Sequence, residues 1–231
     1  MATFQTLVRQ MVLRRTIVNS LALALGVALC PASGAHAQDR PLRIVAFGDS
    51  LTAGYGLQPR DAFPVQLERA LQAGGANVAI INAGVSGDTT SGGLARLDWS
   101  ISADADAVIL ELGANDALQG RPPAQARANL DAMLSRLKAR GLPVLLAGMQ
   151  APQNLGPAYT DAFDRIYPEL AAKHGALLYP FFLDGVALDP RLNQRDGIHP
   201  TAEGVAIIVS RMLPKVTRLI AAARANVRPG G

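Results

Sequence analysis

Short apolar runs alternate with amphipathic stretches through most of the chain. Five runs rich in Val, Ile, Leu and Ala predict buried strands at residues 43–48, 77–82, 107–112, 143–148 and 176–179. Apolar residues with helical spacing predict helices at residues 61–73, 91–99, 124–140, 160–174 and 202–223. The pattern is one regular strand–helix alternation without an internal repeat.

This alternation indicates the fold class. Strands that are apolar along their whole length are typical of a parallel sheet covered on both faces, and right-handed crossovers place helices on each side. We predict an α/β fold of three layers (α/β/α) around a flavodoxin-like, doubly wound, parallel sheet of five strands. Ligands bind such sheets beyond the carboxyl ends of the strands, so the residues after each strand are the candidates for chemistry.

The first 37 residues differ in composition from the rest of the chain. They contain no acid, and their basic residues are Arg9, Arg14 and Arg15. An uncharged run at 16–30 and the small-x-small sequence Ala35-His36-Ala37 follow. We predict a signal peptide at residues 1–37, cleaved before Gln38, and a single domain at 38–231. A membrane anchor is disfavoured because the uncharged run is shorter than the roughly 20 residues that a spanning helix needs.

Export sets several expectations for the mature chain. The product is expected in the periplasm or outside the cell, without a transmembrane segment. The sequence leaves the export route open between Sec and twin-arginine through Arg14-Arg15, and it disfavours a lipoprotein route through Cys30 because Leu29 stands where a small residue is expected. Cys30 is the only cysteine, so the mature chain has no disulfide and no thiolate. The chain has 22 Lys and Arg and 18 Asp and Glu, so its net charge is close to zero once the three N-terminal arginines are removed. The sequence shows no basic stripe that would indicate a nucleic-acid partner.

Four short blocks of polar and small residues follow predicted strands or precede the last helix. They are GDSLTAGYG at 48–56, NAGVSGDT at 82–89, GAND at 113–116 and DGIHP at 196–200. In this order and spacing, across nearly the whole mature chain, they resemble the blocks of the SGNH (GDSL) hydrolase family. They look most like its multifunctional bacterial branch of thioesterase I, lysophospholipase and arylesterase, which implies a serine acyl hydrolase.

The residue types in these blocks fit nucleophilic catalysis. A serine hydroxyl is a poor nucleophile until an adjacent base accepts its proton. His199 follows Asp196 by three residues in a Gly- and Pro-flanked loop, so one turn can bring the carboxylate to the imidazole. We predict Ser50 as nucleophile, His199 as general base and acid, and Asp196 as the residue that orients His199. The other histidine of the mature chain, His174, is interpreted as a helix-terminal residue.

The family resemblance also implies an oxyanion hole. Its donors would be the backbone N–H groups of Ser50 and Gly87 and the side-chain amide of Asn115. The residue types suit this role, because glycine permits close backbone approach and a carboxamide donates without adding a charge.

Three acids lie in the same blocks: Asp49, Asp88 and Asp116. We interpret them as residues that brace the loops, because their oxygens can accept from exposed backbone N–H groups. A hard-cation site built from these acids is the alternative, although we expect no metal and no cofactor. Each block taken alone also fits a structural turn or a helix cap, and only the four together favour catalysis.

Apolar residues in the loops after the strands predict an acyl-binding trough beside Ser50. Its expected lining is Leu118, Met149, Pro152 and Phe182, with ordinary rim packing as the alternative. Tyr55 either flanks the leaving group or packs on its own loop. The expected partner is a small-molecule acyl ester: an aryl ester or a lysophospholipid, with acyl thioesters as a further capability, since an exported enzyme meets no cytoplasmic acyl-CoA.

Two other functions stay open at this point. A carbohydrate deacetylase of the same fold would carry more exposed aromatic residues around its site than a chain with one Trp offers. A non-enzymatic exported binding module would have no need of a serine–histidine pair together with an oxyanion amide. The sequence does not determine the oligomeric state, and a monomer is assumed.

Overall fold

The computed structural model of this chain describes residues 40–227. The predicted signal peptide at residues 1–37 and its cleavage site before Gln38 lie outside this range, as do residues 228–231. Within residues 40–227, no helix is long and apolar enough to span a membrane.

All five predicted strands are present, and each of their ends lies within two residues of the predicted boundary. They are β1 (Leu42–Gly48), β2 (Val78–Gly84), β3 (Ala107–Glu111), β4 (Val144–Ala147) and β5 (Leu177–Tyr179). The strands form one sheet in the order β2-β1-β3-β4-β5, and every neighbouring pair is parallel. This is the order of the flavodoxin-like doubly wound fold, so the predicted fold class is confirmed.

Eight α-helices connect and cover the strands in the described range. They are α1 (Ser50–Ala53), α2 (Phe63–Ala73), α3 (Thr90–Ser100), α4 (Ala114–Leu118), α5 (Pro123–Ala139), α6 (Pro157–Asp164), α7 (Ile166–His174) and α8 (Ala202–Val227). Two 3₁₀ turns lie at Pro59–Asp61 and Gln153–Leu155. The helices α2 and α8 pack together, while α3, α5 and α7 pack in series, so the sheet is the middle of three layers.

The helix predicted at residues 160–174 is two helices, α6 and α7, joined at Arg165. Pro168 explains the break, because its nitrogen has no hydrogen to donate to the carbonyl of Asp164 four residues earlier. The short helices α1 and α4 were not predicted, since four or five residues are too few to show helical periodicity. His174 ends α7 and bonds Asp131, which confirms its interpretation as a helix-terminal residue.

The topology places a crevice at the carboxyl ends of β1 and β3. From β1 the chain moves outward to β2, and then returns to the opposite side of β1 to form β3. The order of strands therefore reverses between β1 and β3, which is where ligands bind in such sheets. Ser50 follows β1 and Asn115 follows β3, so the two residues flank this crevice.

Two of the strand ends are glycines, which permits close packing at this edge of the sheet. Gly48 lies in register with Gly84 on one side and Glu111 on the other. A Cβ atom at Gly84 would collide with the backbone of Ala53, and one at Gly48 would collide with Glu111. The missing side chains let α1 lie directly across the ends of the strands.

The core gives a stability prediction. Leu110 in the central strand β3 is fully buried, whereas Leu188 in a surface loop is 94% exposed. We expect Leu110→Ala to lower the free energy of unfolding by about 2–5 kcal/mol, because it removes buried methyl groups and leaves a cavity. Urea unfolding followed by far-UV circular dichroism measures the loss.

Leu188→Ala is the matched control, since it makes the same chemical change where little apolar surface is covered. We expect its unfolding free energy to stay within about 0.5 kcal/mol of the wild type. Equal losses in the two variants would contradict the central position of β3.

Candidate active site

Ser50 is placed by the junction of β1 and α1. Gly48 ends β1, and Asp49 caps α1, since its side chain accepts a hydrogen bond from the N–H of Leu51 at 3.0 Å. Ser50 is the first residue of α1 and is largely buried. The Gly-Asp-Ser sequence is therefore a strand end, a helix cap and a helix start, and it holds the hydroxyl at the sheet edge.

His199 lies on a loop that is tied at both of its ends. Asn193 and Pro200 form an isolated antiparallel bridge, and the N–H of Gln194 donates to the carbonyl of His199 at 2.7 Å. The Gln194 side-chain amide donates to the carbonyl of Tyr55 at 2.8 Å, which joins this loop to the segment after α1. These bonds hold the histidine against the serine.

The structure brings Ser50, His199 and Asp196 into one hydrogen-bonded chain. His199 Nε2 lies 3.0 Å from Ser50 Oγ, and His199 Nδ1 lies 2.7 Å from Asp196 Oδ2. A carboxylate only accepts, so Nδ1 is the nitrogen assigned the hydrogen and Nε2 is left to accept from the serine.

The surroundings of Asp196 favour its ionised form. Hydrogen bonds from the backbone N–H and the ring of His199, and from the N–H of Ile198, lower the pKa of Asp196 to about 2. The two backbone bonds go to Oδ1, which leaves Oδ2 for the imidazole. Tyr55 packs on the other side of the assembly, with its ring centroid 4.6 Å from that of His199.

Asn115 lies between the two backbone segments that were predicted to form the oxyanion hole. Its amide nitrogen donates to the carbonyl of Asp88 at 2.9 Å and to Asp49 Oδ2 at 3.2 Å. Asp88 directly follows Gly87, and Asp49 directly precedes Ser50. Both hydrogens of the amide are therefore engaged with the protein.

The two backbone donors are differently placed. Within residues 40–227, neither the Ser50 N–H nor the Gly87 N–H donates to a protein acceptor. Gly87 has a φ of +81°, a backbone conformation that favours glycine. Both N–H groups are thus free for an acceptor from outside the protein.

The acids of the motif blocks brace the loops, as predicted. Asp88 pairs with Arg96 at 2.7 Å, and Asp116 accepts from both the N–H and the hydroxyl of Thr90 at 2.7 Å. Asp49 caps α1. Across the described part of the chain, no group of three or more His, Cys, Asp or Glu residues is arranged to hold a metal ion.

A further acid, Glu111, is fully buried and contacts residues on both sides of Ser50. Its Oε2 accepts from the Thr52 hydroxyl at 2.7 Å and from the Asp49 N–H at 3.3 Å, and its carboxyl contacts that of Asp49. Burial raises the pKa of Glu111 well above its usual range and that of Asp49 to about 6. The pair therefore retains a proton under conditions in which exposed acids have lost theirs.

The predicted acyl trough is wrong in part. Met149 and Phe182 are only 3% and 1% exposed, because both pack in the hydrophobic core, where Phe182 contacts Phe63 edge-on. They cannot line an open trough. Leu118 is exposed and Pro152 is half-buried, so these two remain at the surface.

Two further apolar residues lie beside the site and were not predicted from the sequence. Val85 precedes Gly87 by two residues and Ile198 precedes His199, and both are exposed. Their signal in the sequence is an isolated apolar residue within a polar motif block. Together with Leu118 and Tyr55, they give the loops around Ser50 exposed apolar side chains.

A serine hydroxyl that bonds an imidazole oriented by a carboxylate is the arrangement of serine hydrolases. The model of the GDSL-like Lipase/Acylhydrolase family matches residues 46–207. The chain belongs to this family and is an acyl-ester hydrolase, which confirms the predicted family and enzyme class.

Individual relatives agree with this assignment. The chain is 38% identical to an arylesterase of Vibrio mimicus, over 84% of this chain and 97% of the relative. It is 36% identical to thioesterase 1/protease 1/lysophospholipase L1 of Escherichia coli K12, over 77% and 84% of the two chains. The crystal structure of AlinE4, an SGNH-hydrolase family esterase, matches with a TM-score of 0.67 and 49% identity, over 78% of this chain and 96% of that one.

The buried Glu111 gives a prediction about pH. Below its ordinary pKa of 4.5 the carboxyl is protonated in both states, whereas above it only the unfolded chain ionises, because burial raises the folded-state pKa. The wild type should therefore lose stability relative to Glu111→Gln by up to about 1.4 kcal/mol per pH unit above pH 4.5. Unfolding free energies of both proteins across this range measure the difference.

Glu203→Gln is the control, because Glu203 is exposed in the first turn of α8. It should follow the wild-type pH dependence, with an offset below about 1 kcal/mol from the helix terminus. If Glu111→Gln also ran parallel to the wild type, Glu111 would ionise equally in both states.

Proposed function

We propose that the chain is an exported serine hydrolase that cleaves carboxylic esters through an acyl-Ser50 intermediate. The observation that carries this proposal is the hydrogen-bonded chain from Ser50 Oγ through His199 to Asp196, at 3.0 and 2.7 Å. It leaves Nε2 of the histidine as the acceptor for the serine proton, which is the arrangement that activates a hydroxyl.

In the acylation step, His199 Nε2 takes the hydroxyl proton while Ser50 Oγ bonds to the ester carbonyl carbon. The anionic Asp196 stabilises the resulting imidazolium, and its low pKa keeps it from taking the proton. The imidazolium then protonates the leaving oxygen as the carbon–oxygen bond breaks, which releases the alcohol and leaves an ester on Ser50.

In the deacylation step, water takes the place of the alcohol. His199 Nε2 accepts a proton from the water as its oxygen bonds to the acyl carbon, and then returns a proton to Ser50 Oγ as the acyl bond breaks. The products are the carboxylic acid and the free enzyme, so every proton is accounted for without a cofactor.

We assign the developing oxyanion to the Ser50 and Gly87 N–H groups and to the Asn115 amide. The two backbone groups have no acceptor within residues 40–227, which supports this assignment. The amide hydrogen directed at Asp49 Oδ2 is the one available to the oxyanion, since that bond, at 3.2 Å, is the longer of its two.

The substrate class rests on the relatives and on the exposed surface. The relatives include proteins named arylesterase and thioesterase 1/protease 1/lysophospholipase L1. Exposed apolar side chains around Ser50, among them Leu118 and Val85, suit an acyl chain. We propose aryl esters and lysophospholipids as substrates, with acyl thioesters as a further capability of the same site.

Export is the remaining part of the proposal. Residues 1–37 have the basic, apolar and small-x-small order of a signal peptide, so the active protein would begin at Gln38 as a single domain in the periplasm or outside the cell. An enzyme in that place does not meet cytoplasmic acyl-CoA, which favours esters and lysolipids over thioesters.

Initial rates of the chain from Gln38 on aryl esters of increasing acyl length test the function. We expect the rate to rise towards medium or long acyl chains and to fall by at least about 1000-fold in Ser50→Ala, because the nucleophile is lost. Ser135→Ala is the matched control, since that serine is exposed on α5, and it should retain the wild-type rate.

The outcomes separate the candidate functions. A Ser50-dependent rate confined to acetyl esters would shift the proposal towards a deacetylase. A folded Ser50→Ala variant with the wild-type rate would remove the serine mechanism, and no rate on any ester would remove the esterase.

Asn115→Ala tests the oxyanion assignment. Loss of one oxyanion donor typically costs about 100- to 1000-fold in turnover, so we expect kcat to fall by that amount while KM changes by less than about threefold. Asn226→Ala, at the end of α8, removes an exposed amide and should leave both constants unchanged. A rise in KM at constant kcat would instead place Asn115 in substrate binding.

A further inference from the structure

Arg96 in α3 is a buried arginine that has no direct contact with Ser50 or His199. Its guanidinium donates to four acceptors: Asp88 Oδ2 at 2.7 Å, the Gly48 carbonyl at 2.8 Å, the Ala83 carbonyl at 2.9 Å and Ser100 Oγ at 3.3 Å. Three of these four acceptors belong to segments outside α3. The arginine therefore connects parts of the chain that are distant in sequence.

A buried guanidinium is costly unless its charge and its N–H groups are satisfied. Asp88 supplies the opposite charge, and both side chains of this pair are about nine-tenths buried, at 8% and 11% exposed. The ring of Phe47 lies 3.9 Å from the guanidinium carbon and adds a cation–π contact. The surroundings of Arg96 therefore satisfy both the charge and the N–H groups of the buried guanidinium.

The acceptors of Arg96 lie directly behind the proposed oxyanion donors. Gly48 ends β1 two residues before Ser50, and its carbonyl also accepts from Val85, which lies two residues before Gly87. Asp88 follows Gly87, and its own carbonyl receives the Asn115 amide at 2.9 Å. One guanidinium therefore holds the backbone on which all three donors depend.

We propose that Arg96 is the positioning residue of the oxyanion hole. It fixes the distance between the Ser50 and Gly87 N–H groups, and through Asp88 it fixes the direction of the Asn115 amide. This inference rests on the proposed function, because it concerns the geometry of that same site. It assigns Arg96 no contact with the substrate.

Arg96→Lys is the first test, because lysine keeps the positive charge but lacks the planar fork that reaches several acceptors at once. Displaced donors bind the transition state less well, so we expect kcat to fall by about 10- to 100-fold with KM within about threefold. Arg136→Lys is the matched control: its ion pair with Asp98 is half-exposed on the surface, and its kcat should stay at the wild-type value.

The double variant Arg96→Lys/Asn115→Ala distinguishes a positioning role from a general loss of structure. The measurement is its kcat, compared with the kcat of each single variant. If Arg96 positions the hole to which Asn115 contributes one of three donors, the double variant should lose clearly less than the product of the two single losses, because one of the groups that Arg96 positions is already absent. A double variant whose loss equals the product of the two single losses overturns the inference.

A second variant covers the case in which Arg96→Lys does not fold. Asp88→Asn/Arg96→Met removes both charges together, so no unpaired charge is left buried. Circular dichroism and a urea transition establish that it folds, and we expect the same selective fall in kcat. A wild-type kcat in this folded protein overturns the inference.

The inference and the proposed function fail in different ways. A wild-type kcat in Arg96→Lys that still depends on Ser50 overturns the role of Arg96 and leaves the serine mechanism intact. If Ser50→Ala hydrolyses esters at the same rate as the wild type, the proposed function itself is overturned.

Discussion

The close approach of three parallel strand ends is the constraint on which the site depends. Gly48 lies in register with both Gly84 and Glu111, so β1, β2 and β3 end at the same level. Two glycines at this level let α1 cross the strand ends and present Ser50 there. The Asn115 amide then reaches the neighbouring segments, and the histidine loop needs to contribute only one imidazole from the far end of the chain. A parallel sheet thus gathers residues that lie far apart in sequence without a long loop.

Buried charge around the site is handled in two ways. On one side, Arg96 and Asp88 neutralise each other. The guanidinium of Arg96 also donates to the backbone carbonyls of Ala83 and Gly48. On the other side, Asp49 and Glu111 have no cation among their hydrogen-bond partners in the described range, so burial raises both pKa values and the pair retains a proton. Asp196 is the opposite case, since donors surround it and lower its pKa. The one carboxylate that the proposed mechanism needs as an anion is the one at the solvent edge.

The fold could be predicted from the sequence because its strands are continuous apolar runs, and a run such as 107–112 has few other interpretations. The motif blocks likewise predicted Ser50, Asp196 and His199 as neighbours, through the family resemblance that the four blocks carry and the three-residue spacing of Asp196 and His199. Apolar residues in loops carry no such periodicity, which is why Met149 and Phe182 were assigned to a trough although they pack in the core. Arg96 was missed for a related reason: two of its partners are backbone carbonyls, which leave no mark on the sequence. Glu111, by contrast, is visible in the sequence as a charged residue inside an apolar run.

The acid pair and the arginine meet at Asn115. One hydrogen of its amide is held by the carbonyl of Asp88, which Arg96 anchors, and the other by the carboxyl of Asp49, which contacts Glu111. In the proposed mechanism, the oxyanion competes with Asp49 for that second hydrogen. The firm bond to Asp88 then keeps the amide oriented while the weaker bond to Asp49 is exchanged.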